Sequence, residues 1–209
     1  MKMKRFALGA LWTNCYVVWD EKGNGIIVDP GGPAEEVEEF VKKNDLHIHW
    51  IILTHGHGDH LGGVADVRNL SEHGVAIHEE DAASLTSAKS NLSAYMGQTV
   101  ELAAADRLLT DGDELKVGSL LVKVIHTPGH TLGGIGLLVC EGSDMIYLSG
   151  DTLFARSIGR TDLPGGDEGT LLASLKKLES IPDTVKVFPG HGPETTIGDE
   201  KNYNPYWPR

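Results

Sequence analysis

Apolar residues fall into short runs separated by Gly, Pro, Asn and Asp, the punctuation of a chain built from many strands. Such runs predict strands at Cys15–Trp19, Gly25–Val28, Trp50–Leu53, Val75–Ile77, Glu114–Val117, Leu120–Ile125, Ile135–Val139, Met145–Leu148 and Val185–Phe188. Helical spacing takes over in three places. Over Ala34–Lys43, Val37, Phe40 and Val41 share one face, glutamates take the others, and Pro33 suits the first helical position. A second helix is expected from about Leu61 to His73, stopped by Gly74. A third is expected over Glu168–Ser180, where Leu171, Leu175 and Leu178 repeat and Asp167 can cap the start. Ala83–Thr110 keeps no steady period and reads as a loop lying over another part of the protein. The mixture predicts α/β or α+β architecture with two sheets rather than one parallel sheet. No linker or low-complexity tract divides the chain, so one domain is expected over residues 1–209.

Composition narrows the function classes. With 40% hydrophobic and 23% charged residues, the chain has globular rather than disordered character. Its 18 Lys and Arg against 30 Asp and Glu give a net charge of −12, which argues against nucleic acid or an anionic membrane as the main partner. Cys15 and Cys140 make no disulfide framework and read as packing residues of a reduced, cytoplasmic protein. Lys2, Lys4 and Arg5 precede the apolar run Phe6–Trp12, but that run is short, lacks a small-residue cleavage site and is broken by Thr13-Asn14. No signal peptide is expected. No run reaches the roughly 18 apolar residues that a membrane helix needs.

The chemistry concentrates in Thr54-His55-Gly56-His57-Gly58-Asp59-His60, three imidazoles and a carboxylate in six positions. Imidazole nitrogen and carboxylate oxygen are ligands for zinc and similar divalent ions. In an extended loop His55 and His57 point the same way and can reach one ion, while Asp59 and His60 can serve another. Three further apolar runs also end in a His or Asp: Leu120–Ile125 leads to His130, Met145–Leu148 to Asp151, and Val185–Phe188 to His191. Sites in sheet-based folds gather beyond such strand ends. His47, His49, His73 and His78 lie at element edges and read as surface or packing residues; His126, four before His130, is a candidate supporting residue.

These residues carry a resemblance to the metallo-β-lactamase-fold superfamily. It rests on Thr-His-x-His-x-Asp-His, the His of Thr127-Pro128-Gly129-His130-Thr131, the Asp of Gly150-Asp151-Thr152-Leu153-Phe154 and the His of Gly190-His191-Gly192. Asp29 in Val28-Asp29-Pro30-Gly31-Gly32 matches the superfamily's first, mainly structural motif. Within the superfamily, Ser157 to Asp167 and Gly190 to Thr196 resemble the short bacterial glyoxalase II-like (hydroxyacylglutathione hydrolase-like) type. The resemblance implies an α+β fold, a four-layer αβ/βα sandwich of two mixed sheets flanked by helices. It implies two divalent metal ions, zinc foremost, with iron or manganese accepted by the same ligands. His55, His57 and His130 would bind one ion, Asp59, His60 and His191 the other, and Asp151 would bridge them. A hydroxide shared by the metals would attack the substrate, and Asp59 could accept or pass its proton.

The activity implied is hydrolysis of a thioester such as S-D-lactoylglutathione. Arg160 matches by position the cationic residue that glyoxalase II enzymes use for the thiol-peptide substrate. Asp162 stands where the long enzymes have a Tyr, and the C-terminal helical domain of the long form is not expected here. Two other activities fit the same motifs: an iron-dependent persulfide dioxygenase, which shares Gly159-Arg160-Thr161-Asp162, and a lactonase or other metallo-hydrolase such as a β-lactamase or nuclease. The partner expected is a small molecule, with no nucleic acid and no membrane.

Overall fold

In the computed structural model, which describes residues 1–97 and 99–208, the apolar runs become two six-stranded sheets. The first is formed by β1 (Lys2–Leu8), β2 (Thr13–Trp19), β3 (Asn24–Val28), β4 (His47–Ile52), β5 (Val75–His78) and β6 (Arg107–Leu109), in that order across the sheet. β1 to β3 pair antiparallel and β3 to β6 parallel. The second sheet contains β7 (Glu114–Val117), β8 (Leu120–His126), β9 (Ile135–Glu141) and β10 (Asp144–Gly150). After a small hairpin, β11 (Leu153–Phe154) and β12 (Ser157–Ile158), come β13 (Lys186–Pro189) and β14 (Thr195–Thr196). Its order is β14-β13-β10-β9-β8-β7, with only β10 and β13 parallel.

Three apolar clusters make four layers. Because side chains alternate across a strand, Tyr16, Val18, Ile26 and Val28 face the second sheet, where they meet Val122, Leu137 and Leu148. Their neighbours Cys15, Val17 and Ile27 face the other way, onto Val37 and Val41 of α1 (Glu35–Lys43) and Val64 and Val67 of α3 (Val64–Val67). Tyr147 and Val187 on the outer face of the second sheet pack on Leu175 of α4 (Glu168–Lys177) and Ile197 of α5 (Ile197–Tyr203). Strands buried on both faces explain why the central runs read as continuously apolar. The expected sandwich of two mixed sheets flanked by helices is the observed architecture, and no helix among the described residues is long and apolar enough to cross a membrane.

Several local expectations are corrected. The helix expected over Leu61–His73 is broken into α2 (Gly58–Leu61), α3 and a short 3₁₀ turn at Arg68–Leu70. The break lies at Gly62-Gly63, where the chain passes against another backbone: a Cβ on Gly63 would stand 2.0 Å from the Gly32 carbonyl oxygen. Pro33 does not open α1; Ala34 precedes the helix, its N–H donating to the Asp66 carboxylate at 2.9 Å. The third helix ends at Lys177 and tightens to 3₁₀ over Leu178–Ser180, but Asp167 caps it as expected, accepting from the Thr170 N–H at 2.7 Å. β1, β6, the β11–β12 hairpin, β14, α5 and the 3₁₀ turns at Glu79–Thr86 and Ser93–Met96 are additional elements.

Candidate metal centre

β4, β8, β10 and β13 all end at one edge of the sandwich, and the loops that follow deliver the chemistry. The loop after β4 carries His55 and His57 and enters α2 with Asp59 and His60 in its single turn. His130 follows β8, Asp151 follows β10, and His191 follows β13. All seven come together. His57 Nδ1 lies 3.1 Å from His55 Nε2 and 3.0 Å from His130 Nε2. His191 Nε2 lies 3.3 Å from His60 Nε2 and 3.2 Å from Asp59 Oδ2. Asp151 sits between the two groups, Oδ1 3.5 Å from His60 Nε2 and Oδ2 3.6 Å from both His130 Nε2 and His191 Nε2.

The outer ring nitrogens decide what these atoms are. His130 Nδ1 donates to the Arg160 carbonyl at 2.8 Å, and His191 Nδ1 to the Leu11 carbonyl at 3.2 Å. His60 Nδ1 points at Asp29 Oδ2, 3.0 Å away. The Thr54 hydroxyl spends its proton on Asp29 at 2.6 Å, so it can only accept from His55 Nδ1, 3.2 Å away. His55, His130 and His191 are thereby fixed in the tautomer that turns a bare Nε2 inward when neutral, an arrangement that orients and strengthens a metal ligand, and the Asp29 carboxylate favours the same tautomer in His60. His57 can place at most one proton among its two facing neighbours. The buried Asp151 Oδ1 has no hydrogen-bond partner among the described residues. Electron-rich atoms aimed at one another call for cations among them. The nitrogen separations also fit: bonds of about 2.0–2.1 Å in a tetrahedron put ligand atoms about 3.3–3.4 Å apart.

Electrostatics divides the centre. Burial, reinforced by neighbouring imidazoles, holds His55 well below the ordinary imidazole range and brings His57 down to about 3, so both stay neutral. Around the other group, burial is outweighed: Asp151, Asp29 and Asp59 raise His60 to about 10, and Asp59 and Asp151 raise His191. Asp59 in turn is held well below the usual carboxylate range by His60 and His191, against its burial. That half of the centre favours positive charge.

The supports are largely invisible in the sequence. Asp29 sits in the left-handed region at φ 50°, with Oδ1 accepting the Thr54 N–H at 2.8 Å. Asp81, buried in the turn after β5, ties the His55–His57 loop to the His130 loop: it accepts from the Gly56 N–H (2.8 Å), the Thr131 hydroxyl (2.7 Å) and the Gly133 N–H (2.8 Å). The Asn14 side-chain amide donates to the Pro189 and Gly192 carbonyls, both at 2.9 Å, and so frames His191. Gly190 is required by close approach, since a Cβ there would stand 2.2 Å from Asp151 Oδ1. Among the described residues His126 forms no hydrogen bond or ring contact with the seven; it stacks on His78 at 4.0 Å and bonds the Leu132 carbonyl, bracing the loop behind His130.

A cleft of about 1170 Å³ opens over the centre, walled by Leu11, Leu92, Tyr95, Phe154 and Leu163 among others. Leu92, Tyr95 and Met96 come from the unperiodic stretch Ala83–Thr110, which does lie over the site, with Gly58 N–H donating to the Asn91 carbonyl at 2.6 Å. Arg160 lies on the wall, but its guanidinium forks onto Asp162 (2.7 and 2.8 Å) and is 62% exposed.

Comparison with known proteins agrees with this geometry. The Metallo-beta-lactamase superfamily model matches residues 8–191. The hydroxyacylglutathione hydrolase GloC of Haemophilus influenzae is 35% identical over 212 residues, covering 99% of this chain and 98% of GloC. The B3 metallo-beta-lactamase BLEG-1 superposes with a TM-score of 0.91 at 38% identity, over 98% of this chain and 99% of that one. A di-iron-bound structure of TTHA1623 gives 0.84 at 34% identity, over 97% and 99%. The chain belongs to the metallo-beta-lactamase superfamily and is a metallo-hydrolase of that fold.

Proposed function

We propose that this member of the metallo-beta-lactamase superfamily hydrolyses a thioester such as S-D-lactoylglutathione at a binuclear centre, most simply of zinc. His55, His57 and His130 would hold one ion and Asp59, His60 and His191 the other, with Asp151 placed to serve both. The observation that carries this reading is the pair of ligand triads meeting at Asp151 on the floor of a single open cleft. Two ions side by side need an anion between them, and Asp151, with oxygens directed to both groups, is suited to that place. Once bound, the ions supply Lewis acidity to a carbonyl oxygen and make hydroxide available near neutral pH. Asp59 faces the cleft and is the carboxylate placed to accept the proton of the attacking water or pass it on. The apolar walls shed water from the acyl group and sulfur. Lys89 and Arg160 are the Lys and Arg residues of the cleft wall among the described residues, so a substrate carboxylate is held by Lys89, or by Arg160 once it exchanges Asp162 for the ligand. The likeness to GloC supports the choice of a glutathione thioester, and the two free thiols suit a cytoplasmic setting.

The test is thiol release from S-D-lactoylglutathione, from a neutral thioester, and from no enzyme, beside lactone and β-lactam hydrolysis, before and after chelation. The reading requires metal-dependent thioester cleavage. Turnover of a lactone or β-lactam alone would replace the substrate. One iron per chain, with dioxygen consumed on a persulfide and no thioester cleavage, would replace hydrolysis with the persulfide dioxygenase.

A further inference from the structure

A second set of imidazoles stands at the opposite end of β4, away from the cleft. His47 and His49 are two residues apart on the strand, with ring centroids 4.7 Å apart. The segment 71–73 is laid beside them by backbone bonds: Glu72 N–H to the Ile48 carbonyl at 2.9 Å and His73 N–H to the His49 carbonyl at 3.0 Å. The Ser71 hydroxyl adds a bond to the His49 carbonyl at 2.9 Å. This frame sets the Glu72 carboxylate among three imidazoles. Its Oε2 lies 3.1 Å from His47 Nε2, 3.6 Å from His49 Nδ1 and 3.9 Å from His73 Nε2.

The ligand atoms of His47, His49 and Glu72 all fall within 4.8 Å of one another. The first two separations from Glu72 bracket the edge of about 3.3–3.5 Å that nitrogen and oxygen ligands show around a tetrahedral ion. Protonation points the same way. His49 Nε2 lies 3.3 Å from the Asn24 side-chain oxygen and donates to it, leaving Nδ1 as a bare lone pair on the side of the carboxylate. A cation seated between that lone pair and the Glu72 carboxylate serves both. His47 and Glu72 are half exposed, so an ion reaches them without unfolding.

We propose that His47, His49 and Glu72 form a surface site for a late first-row divalent transition ion, with His73 in reach as a fourth ligand or water in its place. Two imidazoles and one carboxylate select zinc, copper or nickel over calcium or magnesium, which take oxygen sets. The ion pins the 71–73 segment to the start of β4 and is independent of the hydrolytic reading above.

The experiment uses the full protein as purified with its own metals, dialysed against micromolar Zn²⁺. Compared are wild type, the double variant His47→Ala/His49→Ala, and Glu72→Gln, which keeps the shape of the side chain and serves as a check should the double variant fold poorly. The site predicts one more zinc per chain in wild type than in the double variant, weaker retention in Glu72→Gln, and a zinc-dependent rise in Tm that is larger in wild type than in either variant. Zinc content and affinity equal to wild type in either folded variant would overturn it.

Discussion

Asp81 offers the sharpest test of how the centre is held. Its carboxylate is the shared acceptor for two backbone N–H groups and one hydroxyl, on the two loops that present His55, His57 and His130. Asp81→Ala orphans all three donors in a place with little exposure. An orphaned buried donor costs roughly 1–3 kcal/mol, and one of the three can turn to a water that enters the vacated volume. The expected loss is therefore about 2–6 kcal/mol, a large fraction of the stability of a typical domain. Asp81→Asn keeps an acceptor on one side and sets an NH₂ against a donor on the other, so about half that loss is expected. Urea unfolding of the chelated protein measures the stability, and competition with a chromophoric chelator measures zinc affinity, which should fall with it as the loops drift apart. A loss below about 1 kcal/mol in Asp81→Ala, with zinc affinity unchanged, would refute the clamp.

Three further outcomes follow from the contacts. Asp20, buried where the β2–β3 and β7–β8 turns meet, is held near a pKa of about 2 against its burial by bonds from Ser119, Asn24 and Lys22. That depression is worth about 2 kcal/mol, fully present above the unfolded value near 4 and lost as pH falls towards 2. Asp20→Asn should flatten the stability profile across that window in urea titrations at stepped pH. Asn14→Ala takes the side-chain donor from the Gly192 carbonyl and leaves the Pro189 carbonyl to the Tyr16 hydroxyl, and should weaken metal binding at the His191 side more than at the His55 side, read by stepwise metal titration. Arg160→Ala should raise KM for a glutathione thioester about tenfold, with metal content and neutral-thioester turnover unchanged, whereas Asp162→Asn should lower that KM by freeing the fork. Equal loss on both substrates would assign Arg160 to structure instead.

The central strands and the seven clustered residues were legible in the sequence for one reason: each is local. A strand buried on both faces is a continuous apolar run, and a residue just past its end inherits the position of that end. What escaped was set by contacts between distant segments. The spacing of Leu61, Val64, Val67 and Leu70 is helical, yet Gly62 and Gly63 are there to meet Gly31 and Gly32, and the helix breaks. β1 is disguised by Lys2, Lys4 and Arg5, charges that suit an edge strand, and its run ends at Leu8, leaving Trp12 exposed. Asp81 belongs to a stretch of 3₁₀ turns held by side-chain to backbone bonds, such as Asn91 to the Ser84 and Val100 carbonyls, which leave no periodic trace. Arg160 was legible as a cation near the site. The use of its carbonyl to orient His130 is a contact between distant segments and left no trace in the sequence.

The central claim is a binuclear centre bridged by Asp151, and metal content per chain tests it most directly. The measurement is elemental analysis of the protein purified without chelator, in the His47→Ala/His49→Ala background so that surface histidines contribute nothing. The account predicts about two divalent ions per chain, loss of both in Asp151→Ala, and loss of mainly one in His191→Ala. Two ions per chain retained in a folded Asp151→Ala variant would contradict the bridge, and a single iron per chain in the parent protein would contradict the binuclear centre itself.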